Sequence, residues 1–294
     1  MGEWLIAPGP ASEELALSVA KELGSNLVDI ESRIFPDGEI KIKLNGNISN
    51  KNVAIVQSTY PPTDRHLLQL LFIANRLSEN CSNVCAVIPY LAYSRQDKAF
   101  LEGEVVSLAV ISNLLQSVGI RKLVTVDIHS TNGLKHFHFP ASNVSAVPLL
   151  GEYFRSNFNT TNTISVSPDF GGSSRAEELV QLLGTGSMSL DKSRDRNTGE
   201  VSVGELSKNV DGKDIILIDD IISTGASMCK AVDLLKKSGA RRIYAACTHP
   251  LLLEDSQEKL KEFGVDELVG TNTIPSSVSK IDVSSILASH LNSM

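Results

Sequence analysis

Short apolar runs alternate with amphipathic stretches along most of this 294-residue chain. Each run has the length and the continuous apolar character of a strand that is buried on both faces, and the stretches between the runs are typical of helices. Regular alternation of strand and helix predicts an α/β fold with a central, mainly parallel sheet flanked by helices. The predicted strands are NVAIVQS from Asn52, NVCAVIPY from Asn83, KLVTVDIH from Lys122, TISVSPD from Thr163, DIILIDD from Asp214 and RIYAACTH from Arg242.

The order strand, loop, helix, strand occurs twice in a similar form, once from Lys51 and once from Lys213. The first copy begins KNVAIVQSTYPPTDRHLL, and the second begins KDIILIDDIISTGASMCK. A chain of this length can form one large domain or two of ordinary size, and the repeat favours two. We therefore predict two similar α/β domains, an N-terminal one over residues 1–145 and a C-terminal one over residues 146–294.

Composition narrows the range of partners. The net charge is −7 with no block of Lys and Arg, so we expect no nucleic-acid partner. We also expect no membrane partner, because no segment approaches the roughly 18 apolar residues of a membrane span. The start, MGEWLIAPGP, does not resemble a signal peptide. The four cysteines have no partners at zinc spacing, which indicates reduced thiols and a cytoplasmic protein.

The segment ILIDDIISTGAS carries the strongest chemical signal in the chain. A predicted strand runs into two adjacent carboxylates, and small residues then lead into a predicted helix. Ligands of open parallel sheets bind at the carboxyl ends of strands, where small residues let N–H groups and a helix N-terminus hold a phosphate. Adjacent carboxylates there need neutralising partners, for example sugar hydroxyls or a metal ion. The less favoured alternative is a strand followed by an N-capped helix, with both acids merely solvated.

This segment resembles the phosphoribosyl-binding loop of the type I phosphoribosyltransferase fold, which phosphoribosyltransferases share with ribose-phosphate pyrophosphokinases. The resemblance implies that the first of the two acids binds ribose hydroxyls and that the loop holds the phosphate of ribose 5-phosphate. The matching residues are Asp219, Asp220, Ser223, Thr224, Gly225, Ala226 and Ser227. The corresponding segment of the first copy, QSTYPPTD, has two prolines without N–H donors and no glycine, so we predict one sugar-phosphate site per chain.

Four further segments resemble the pyrophosphokinases in particular. The first is FPDGE, an aromatic residue beside a Pro-Asp-Gly turn, which on its own would be interpreted as a plain hairpin turn. The resemblance implies that this loop binds the adenine of ATP. Phe35 would stack on the base, and Asp37 and Glu39 would accept hydrogen bonds from its polar edge, on either side of Gly38.

The second segment, PYLAYSRQDK, directly follows a predicted strand. Its Arg95 and Gln96 can form paired hydrogen bonds with phosphate and base atoms. A solvated surface turn is the plain alternative. The resemblance implies that Arg95 and Gln96 bind ATP.

The third element pairs two predicted strand ends, DIH and PDFGG. Asp127 and His129 alternate on a predicted strand and are therefore expected to point the same way. A lone histidine is usually structural, but mixed histidine and carboxylate contacts would suit a nucleotide-bound Mg²⁺, which commonly keeps several waters. The resemblance implies that His129 and Asp169 bind this Mg²⁺ ion.

The fourth segment is the polar stretch from Asp191 to Gly204, which is too long for an ordinary connection. A solvated loop is its plain interpretation. The resemblance implies a catalytic loop in which Lys192 and Arg194 close over the transferring diphosphate, with Arg194 also contacting ribose 5-phosphate. The residue between them, often Arg in the family, is Ser193 here, so one supporting charge is absent.

Together these segments imply a ribose-phosphate diphosphokinase, which moves the β,γ-diphosphate of Mg·ATP to the anomeric hydroxyl of ribose 5-phosphate. The expected partners are these substrates and further copies of the chain, in a dimer or a larger assembly such as a hexamer. A phosphoribosyltransferase that consumes phosphoribosyl pyrophosphate is one alternative, but it would need neither FPDGE nor a second domain. A non-catalytic regulatory relative is another, and the predicted loop cations and metal-binding residues argue against it.

Overall fold

The structure of the protein is a computed structural model, and it describes residues 4–168, 172–190, 192–194, 201–203 and 206–294. The chain divides into two compact units. The first contains Met1–Ser145 together with Asp282–Met294, and the second contains Ala146–Ile281. Each unit has its own parallel sheet and its own apolar core.

The first unit is built on a five-stranded sheet whose neighbouring strands are all parallel. In spatial order the strands are β1 (Trp4–Pro8), β4 (Asn52–Val56), β5 (Asn83–Ile88), β6 (Lys122–Val126) and β7 (Ala141–Val144). An antiparallel hairpin is formed by β2 (Asp29–Ile34) and β3 (Ile40–Asn45). The helices are α1 (Glu13–Leu23), α2 (Thr63–Ser78), α3 (Ser107–Ser117), a 3-10 helix (Thr131–His136) and α8 (Ser284–Ser293).

The second unit has a six-stranded sheet, again parallel between all neighbours. Its strands in spatial order are β15 (Ser279–Ile281), β14 (Glu267–Thr271), β13 (Arg242–Pro250), β12 (Asp214–Ile222), β8 (Thr163–Ser167) and β9 (Gly186–Ser189). The helices are α4 (Val147–Asn157), α5 (Ser173–Leu183), α6 (Ala226–Lys237) and α7 (Ser256–Glu262). A small antiparallel hairpin pairs β10 (Lys192–Arg194) with β11 (Val201–Val203).

The predicted α/β class with mainly parallel sheets is confirmed, and all the predicted strands are present. The apolar runs are continuous because both faces of a parallel sheet are covered. In β12, Ile215 and Leu217 pack into the core cluster that contains residues of α6, while Ile216 and Ile218 pack into the cluster of α4 and α5. Successive side chains of this strand therefore face opposite helix layers, which decides where its polar residues point.

The last residues of the chain pack in the first unit, although the sequence prediction placed them in the C-terminal domain. α8 buries Leu287 and Leu291, lies against α1, and accepts a 3.0 Å hydrogen bond from the indole N–H of Trp4 at the Leu291 carbonyl. An amphipathic pattern shows that a helix is half-buried but does not show which sheet it covers. Neither α8 nor any other helix in the described part of the chain is long and apolar enough to cross a membrane.

Candidate active site

The predicted sugar-phosphate segment forms the end of β12, a tight turn and the start of α6. β12 contains Asp219 and Asp220, as the predicted strand DIILIDD does, and it continues two residues further to Ile222. The turn comprises residues 223–225, and α6 begins at Ala226. The segment thus lies at the carboxyl end of a central strand, where parallel sheets bind their ligands.

This turn exposes hydrogen-bond donors. The side chains of Thr224, Ala226 and Ser227 are exposed, and Ser223 is half-buried. The first N–H groups of a helix have no partner within the helix and carry its positive end. Hydroxyls and N–H groups of this kind together suit a phosphate group.

Gly225 is required by the backbone of the turn. Its φ of 73° and ψ of 0° are left-handed, a conformation that costs other residues about 1–2 kcal/mol. Its carbonyl accepts the Cys229 N–H at 2.8 Å. A Cβ built at Gly225 would lie 3.5 Å from Leu260 Cγ and 3.6 Å from Ser256 Cβ, so a side chain here would face α7.

The two carboxylates of β12 have different surroundings. Asp219 is half-buried, and its Oδ1 accepts the N–H of Asp220 at 2.8 Å. Asp220 is buried, and its Oδ2 lies 3.6 Å from Nη2 of Arg175 on α5. Sequence analysis did not identify Arg175. An arginine in the first turn of a helix, where the helix dipole disfavours a cation, is the signal that could have found it.

The loop after β13 supports the turn from the side. The N–H of Leu252 donates to the Ile222 carbonyl at 3.0 Å, and the N–H of Leu253 donates to the Ser223 carbonyl at 3.1 Å. Leu252 has a φ of 45°, so this loop is held in an uncommon conformation. These contacts depend on tertiary structure and leave no pattern in the sequence.

In the first unit, FPDGE forms the exposed tip of the β2–β3 hairpin. The Phe35 N–H donates to the Glu39 carbonyl at 2.8 Å, and the Glu39 N–H donates to Asp37 Oδ1 at 3.1 Å. Gly38 has a φ of 92°, which explains the glycine. The guanidinium of Arg33 lies over the half-buried Phe35 ring, 4.9 Å from its centre.

Arg95 and Gln96 lie in the loop that follows β5. Arg95 is exposed, whereas Gln96 is half-buried and tied to its surroundings. The Gln96 N–H donates to the Tyr93 carbonyl at 3.1 Å, and the Gln96 carbonyl accepts the N–H of Leu108, in α3, at 3.3 Å. The loop therefore has a fixed backbone and presents an exposed guanidinium at the carboxyl end of its sheet.

The predicted alternation of Asp127 and His129 is wrong. β6 ends at Val126, and Asp127 has a φ of 38°, so neither residue belongs to a strand. Asp127 is buried, and its N–H donates to the Val144 carbonyl, whereas His129 is exposed. The backbone turn after β6 thus separates two side chains that a strand would have aligned.

The loops that carry Arg95 and His129 nevertheless share one edge of the first sheet. They follow β5 and β6, which are parallel neighbours. His136, at the end of the 3-10 helix, donates through Nε2 to the Asp97 carbonyl at 2.6 Å and so joins the two loops. Arg95, Gln96 and His129 thus lie in loops at the same edge of the first sheet, whereas the residues of the β12 turn belong to the second unit.

The remaining predicted site residues are those of the catalytic loop and the second metal ligand. Lys192 and Arg194 belong to β10, paired with Val203 and Val201 of β11 in the antiparallel hairpin. Asp169 lies outside the described residues. Among the residues that are described, no group of three or more His, Cys, Asp or Glu side chains is arranged to hold a metal ion.

Comparison with known proteins agrees with these features. The family model described as the N-terminal domain of ribose phosphate pyrophosphokinase matches residues 4–119, and the one described as the phosphoribosyl synthetase-associated domain matches residues 200–293. The ribose-phosphate pyrophosphokinase of Sulfolobus acidocaldarius is 38% identical over 95% of this chain and 96% of its own length. That of Methanothermobacter thermautotrophicus is 37% identical over 95% and 96%.

A solved structure of phosphoribosylpyrophosphate synthetase from Mycobacterium smegmatis has the same fold. Its TM-score with this chain is 0.90, at 28% sequence identity, and the match covers 99% of this chain and 98% of that one. The resemblance stated from the sequence is therefore confirmed: the chain belongs to the ribose-phosphate pyrophosphokinase family.

Proposed function

We propose that the protein is a ribose-phosphate diphosphokinase, which transfers the β,γ-diphosphate of ATP to the anomeric hydroxyl of ribose 5-phosphate and releases AMP. One observation carries the proposal. The turn at residues 223–225, with Thr224 exposed at its centre, lies between two carboxylates and the start of a helix, in a chain whose relatives are named for this activity over nearly their full length.

The second unit holds ribose 5-phosphate in this proposal. Asp219 accepts hydrogen bonds from the ribose hydroxyls with Asp220 next to it in β12, and residues 223–227 donate to the 5-phosphate. Carboxylates are acceptors at neutral pH, whereas the hydroxyls and N–H groups of the turn are donors, so each end of the sugar phosphate meets a complementary set of atoms. The left-handed Gly225 supports this role, because it directs the chain from β12 into α6 within three residues.

ATP is bound by residues of the first unit. Arg95 and Gln96 contact the nucleotide at the sheet edge, and the hairpin tip from Phe35 to Glu39 binds the adenine. Because the tip is exposed on its own unit, we propose that it completes the ATP site of a neighbouring copy in a dimer or a larger assembly such as a hexamer.

Mg²⁺ accompanies ATP, with His129 and Asp169 as its protein ligands. His129 fits one such position, because it is exposed at the same edge as Arg95. Mg²⁺ commonly takes one or two protein ligands and fills its shell with phosphate oxygens and water, so a larger protein cluster is not expected. When bound, the ion neutralises charge on the phosphates.

Catalysis consists of positioning and charge neutralisation. The anomeric oxygen attacks the β-phosphorus in line, the bond from that phosphorus to the oxygen of the α-phosphate breaks, and AMP leaves. Lys192 and Arg194 supply positive charge to the moving diphosphate, and Arg194 also contacts ribose 5-phosphate. No covalent intermediate is needed, and the cysteines nearest the turn stay protonated, because burial raises the pKa of Cys229 and of Cys247.

A cytoplasmic location is part of the same proposal. All four cysteines are free, and three of them are buried. Free thiols are typical of reducing compartments, which supports this location.

The test follows the transferred group with labelled ATP. ATP carrying ³²P at the β or the γ position is incubated with ribose 5-phosphate and Mg²⁺, with an EDTA-treated sample as control. We expect both labels in the sugar product and one AMP for each product molecule. Transfer of the γ label alone, with ADP, would refute the proposal. Release of diphosphate from phosphoribosyl pyrophosphate in the presence of a base would favour a phosphoribosyltransferase, and binding without turnover would favour a regulatory relative.

A further inference from the structure

Arg175 is an arginine in the first turn of α5 whose side chain is turned toward the sheet. Its side chain is 14% exposed, and that of Asp220, its partner on β12, is 6% exposed. Nη2 of Arg175 lies 3.6 Å from Oδ2 of Asp220. The pair belongs to the layer of α4 and α5, where Ile216, Ile218 and Ala176 form the apolar core.

The stability of α5 does not explain this arginine. A cation in the first turn faces the positive end of the helix dipole, which is unfavourable. Surface ion pairs add little to stability, but this pair is largely buried, and removing one partner of a buried pair leaves an uncompensated charge. The position of Arg175 is therefore best explained by the charge that it meets on β12.

That charge is part of the proposed sugar site. Asp219 and Asp220 are adjacent carboxylates in one strand, and the N–H of Asp220 donates to Asp219 Oδ1 at 2.8 Å. The side chain of Asp220 is thus paired with Arg175, while its backbone orients the carboxylate of Asp219. A shift of Asp220 would be transmitted to Asp219 through this hydrogen bond.

We propose that Arg175 is a positioning residue for ribose 5-phosphate, acting through Asp220 to fix the Asp219 carboxylate. The inference rests on the proposed function. Arg175 neutralises the charge of Asp220, so the pair of acids keeps one net negative charge, on Asp219, which meets the sugar hydroxyls. Arg175 also links α5 to the end of β12, and the turn at residues 223–225 continues from that strand end.

The test measures ribose 5-phosphate affinity by calorimetry, without ATP, in Arg175→Met, Arg175→Lys and the wild type. Arg155→Met, which alters an exposed arginine on α4, is the matched control. We expect Arg175→Met to weaken ribose 5-phosphate about 10- to 100-fold, the range typical of residues that orient a ligand-binding group. Lys restores the charge but not the planar geometry, so Arg175→Lys should lie between. The KM for ATP should change by less than about threefold, a smaller effect than the tenfold that 1.4 kcal/mol represents.

A double-mutant cycle with Asp220→Asn shows whether Arg175 acts through Asp220. We expect Arg175→Met to have a much smaller effect in the Asp220→Asn background than alone. Additive losses would overturn the inference, as would an unchanged affinity in Arg175→Met, or equal losses for both substrates together with lowered thermal stability. If Arg175→Met does not fold, Arg175→Gln replaces it under the same criteria.

Two outcomes distinguish the proposed function from the role of Arg175. A wild-type protein that does not bind ribose 5-phosphate would overturn both the proposed function and the role of Arg175. A wild-type protein that binds the sugar and releases AMP, beside an Arg175→Met variant of equal affinity, would overturn the role of Arg175 alone.

Discussion

The turn after β4 and the turn after β12 occupy the same place in two similar strand–turn–helix units, but their polar side chains differ in burial. After β4, the side chains of Gln57 and Thr59 are buried and bind the protein itself. Gln57 Oε1 accepts the Ala11 N–H at 2.9 Å, and Thr59 Oγ1 accepts the Ala92 N–H at 2.8 Å. After β12, Thr224 and Ser227 are exposed.

The difference shows that turns at equivalent strand ends can place their polar side chains either inside the protein or on its surface. In the first unit the turn is filled with internal hydrogen bonds, and Pro61 and Pro62 remove two N–H donors. In the second, the left-handed Gly225 makes the turn short, and Thr224, Ala226 and Ser227 on either side of it are exposed. The same strand–turn–helix arrangement therefore has buried polar side chains in the first unit and exposed ones in the second.

If the second unit carries the reaction, the largest effect is expected at Lys192, in β10 of that unit. Lys192→Ala should lower kcat about 100- to 1,000-fold, the usual effect of losing one transition-state donor, and should change KM little. Steady-state kinetics measure both, with Lys21→Ala on the exposed surface of α1 as a control. A large rise in KM at unchanged turnover would show that Lys192 binds the ground state.

Mixed oligomers test whether the first unit of one copy and the second unit of another form one active site. Glu39→Ala and Lys192→Ala should each be nearly inactive, because one lacks an adenine contact and the other the transition-state charge. If FPDGE of one copy completes the site of another, random mixed dimers should regain up to roughly a quarter of wild-type activity, since about half the chains are in mixed pairs and one of their two sites is intact. AMP release after co-refolding measures the recovery. Mixed oligomers as inactive as their parents would mean that each site is built within one chain.

A reciprocal pair of substitutions tests the open and closed turns directly. Thr224→Val removes an exposed donor and should weaken ribose 5-phosphate about 10-fold, the effect of losing a hydrogen bond to a charged group worth about 1.5 kcal/mol, with little loss of stability. Thr59→Val removes a buried hydroxyl that serves Ala92 and Tyr90, so it should cost about 1–3 kcal/mol of stability and leave sugar affinity unchanged. Calorimetry and denaturant unfolding separate the two effects. Equal loss of sugar affinity in both variants would break the comparison.

The sequence was informative where one pattern has one structural meaning. Buried parallel strands are apolar throughout, so the sequence predicts β4 and β12, and a short, polar strand–turn–helix motif predicts the β12 turn. Where the structure depends on contacts between distant residues, the sequence was not enough. The pairing of Arg175 with Asp220, the packing of α8 in the first unit and the left-handed backbone at Asp127 are set by tertiary structure.

The smallest expected effect concerns Gly225, in the turn after β12. From the sequence alone, a side chain at residue 225 is expected to block the approach of the phosphate, so that Gly225→Val would abolish ribose 5-phosphate binding and spare folding. The structure changes that expectation, because a Cβ at Gly225 would contact Leu260 and Ser256 at ordinary distances while the backbone keeps a φ of 73°.

Gly225→Ala should therefore lower stability by about 1–2 kcal/mol through backbone strain. It should weaken ribose 5-phosphate about threefold, less than the tenfold that 1.4 kcal/mol represents, because the turn shifts without being blocked. Gly184→Ala is the matched control, since Gly184 belongs to the same unit, has a φ of 68° and has open space around its Cβ position. Both variants should lose similar stability in denaturant unfolding, and only Gly225→Ala should lose sugar affinity. If Gly225→Ala keeps its fold but no longer binds ribose 5-phosphate, residue 225 faces the ligand and the assigned direction of its Cβ is wrong.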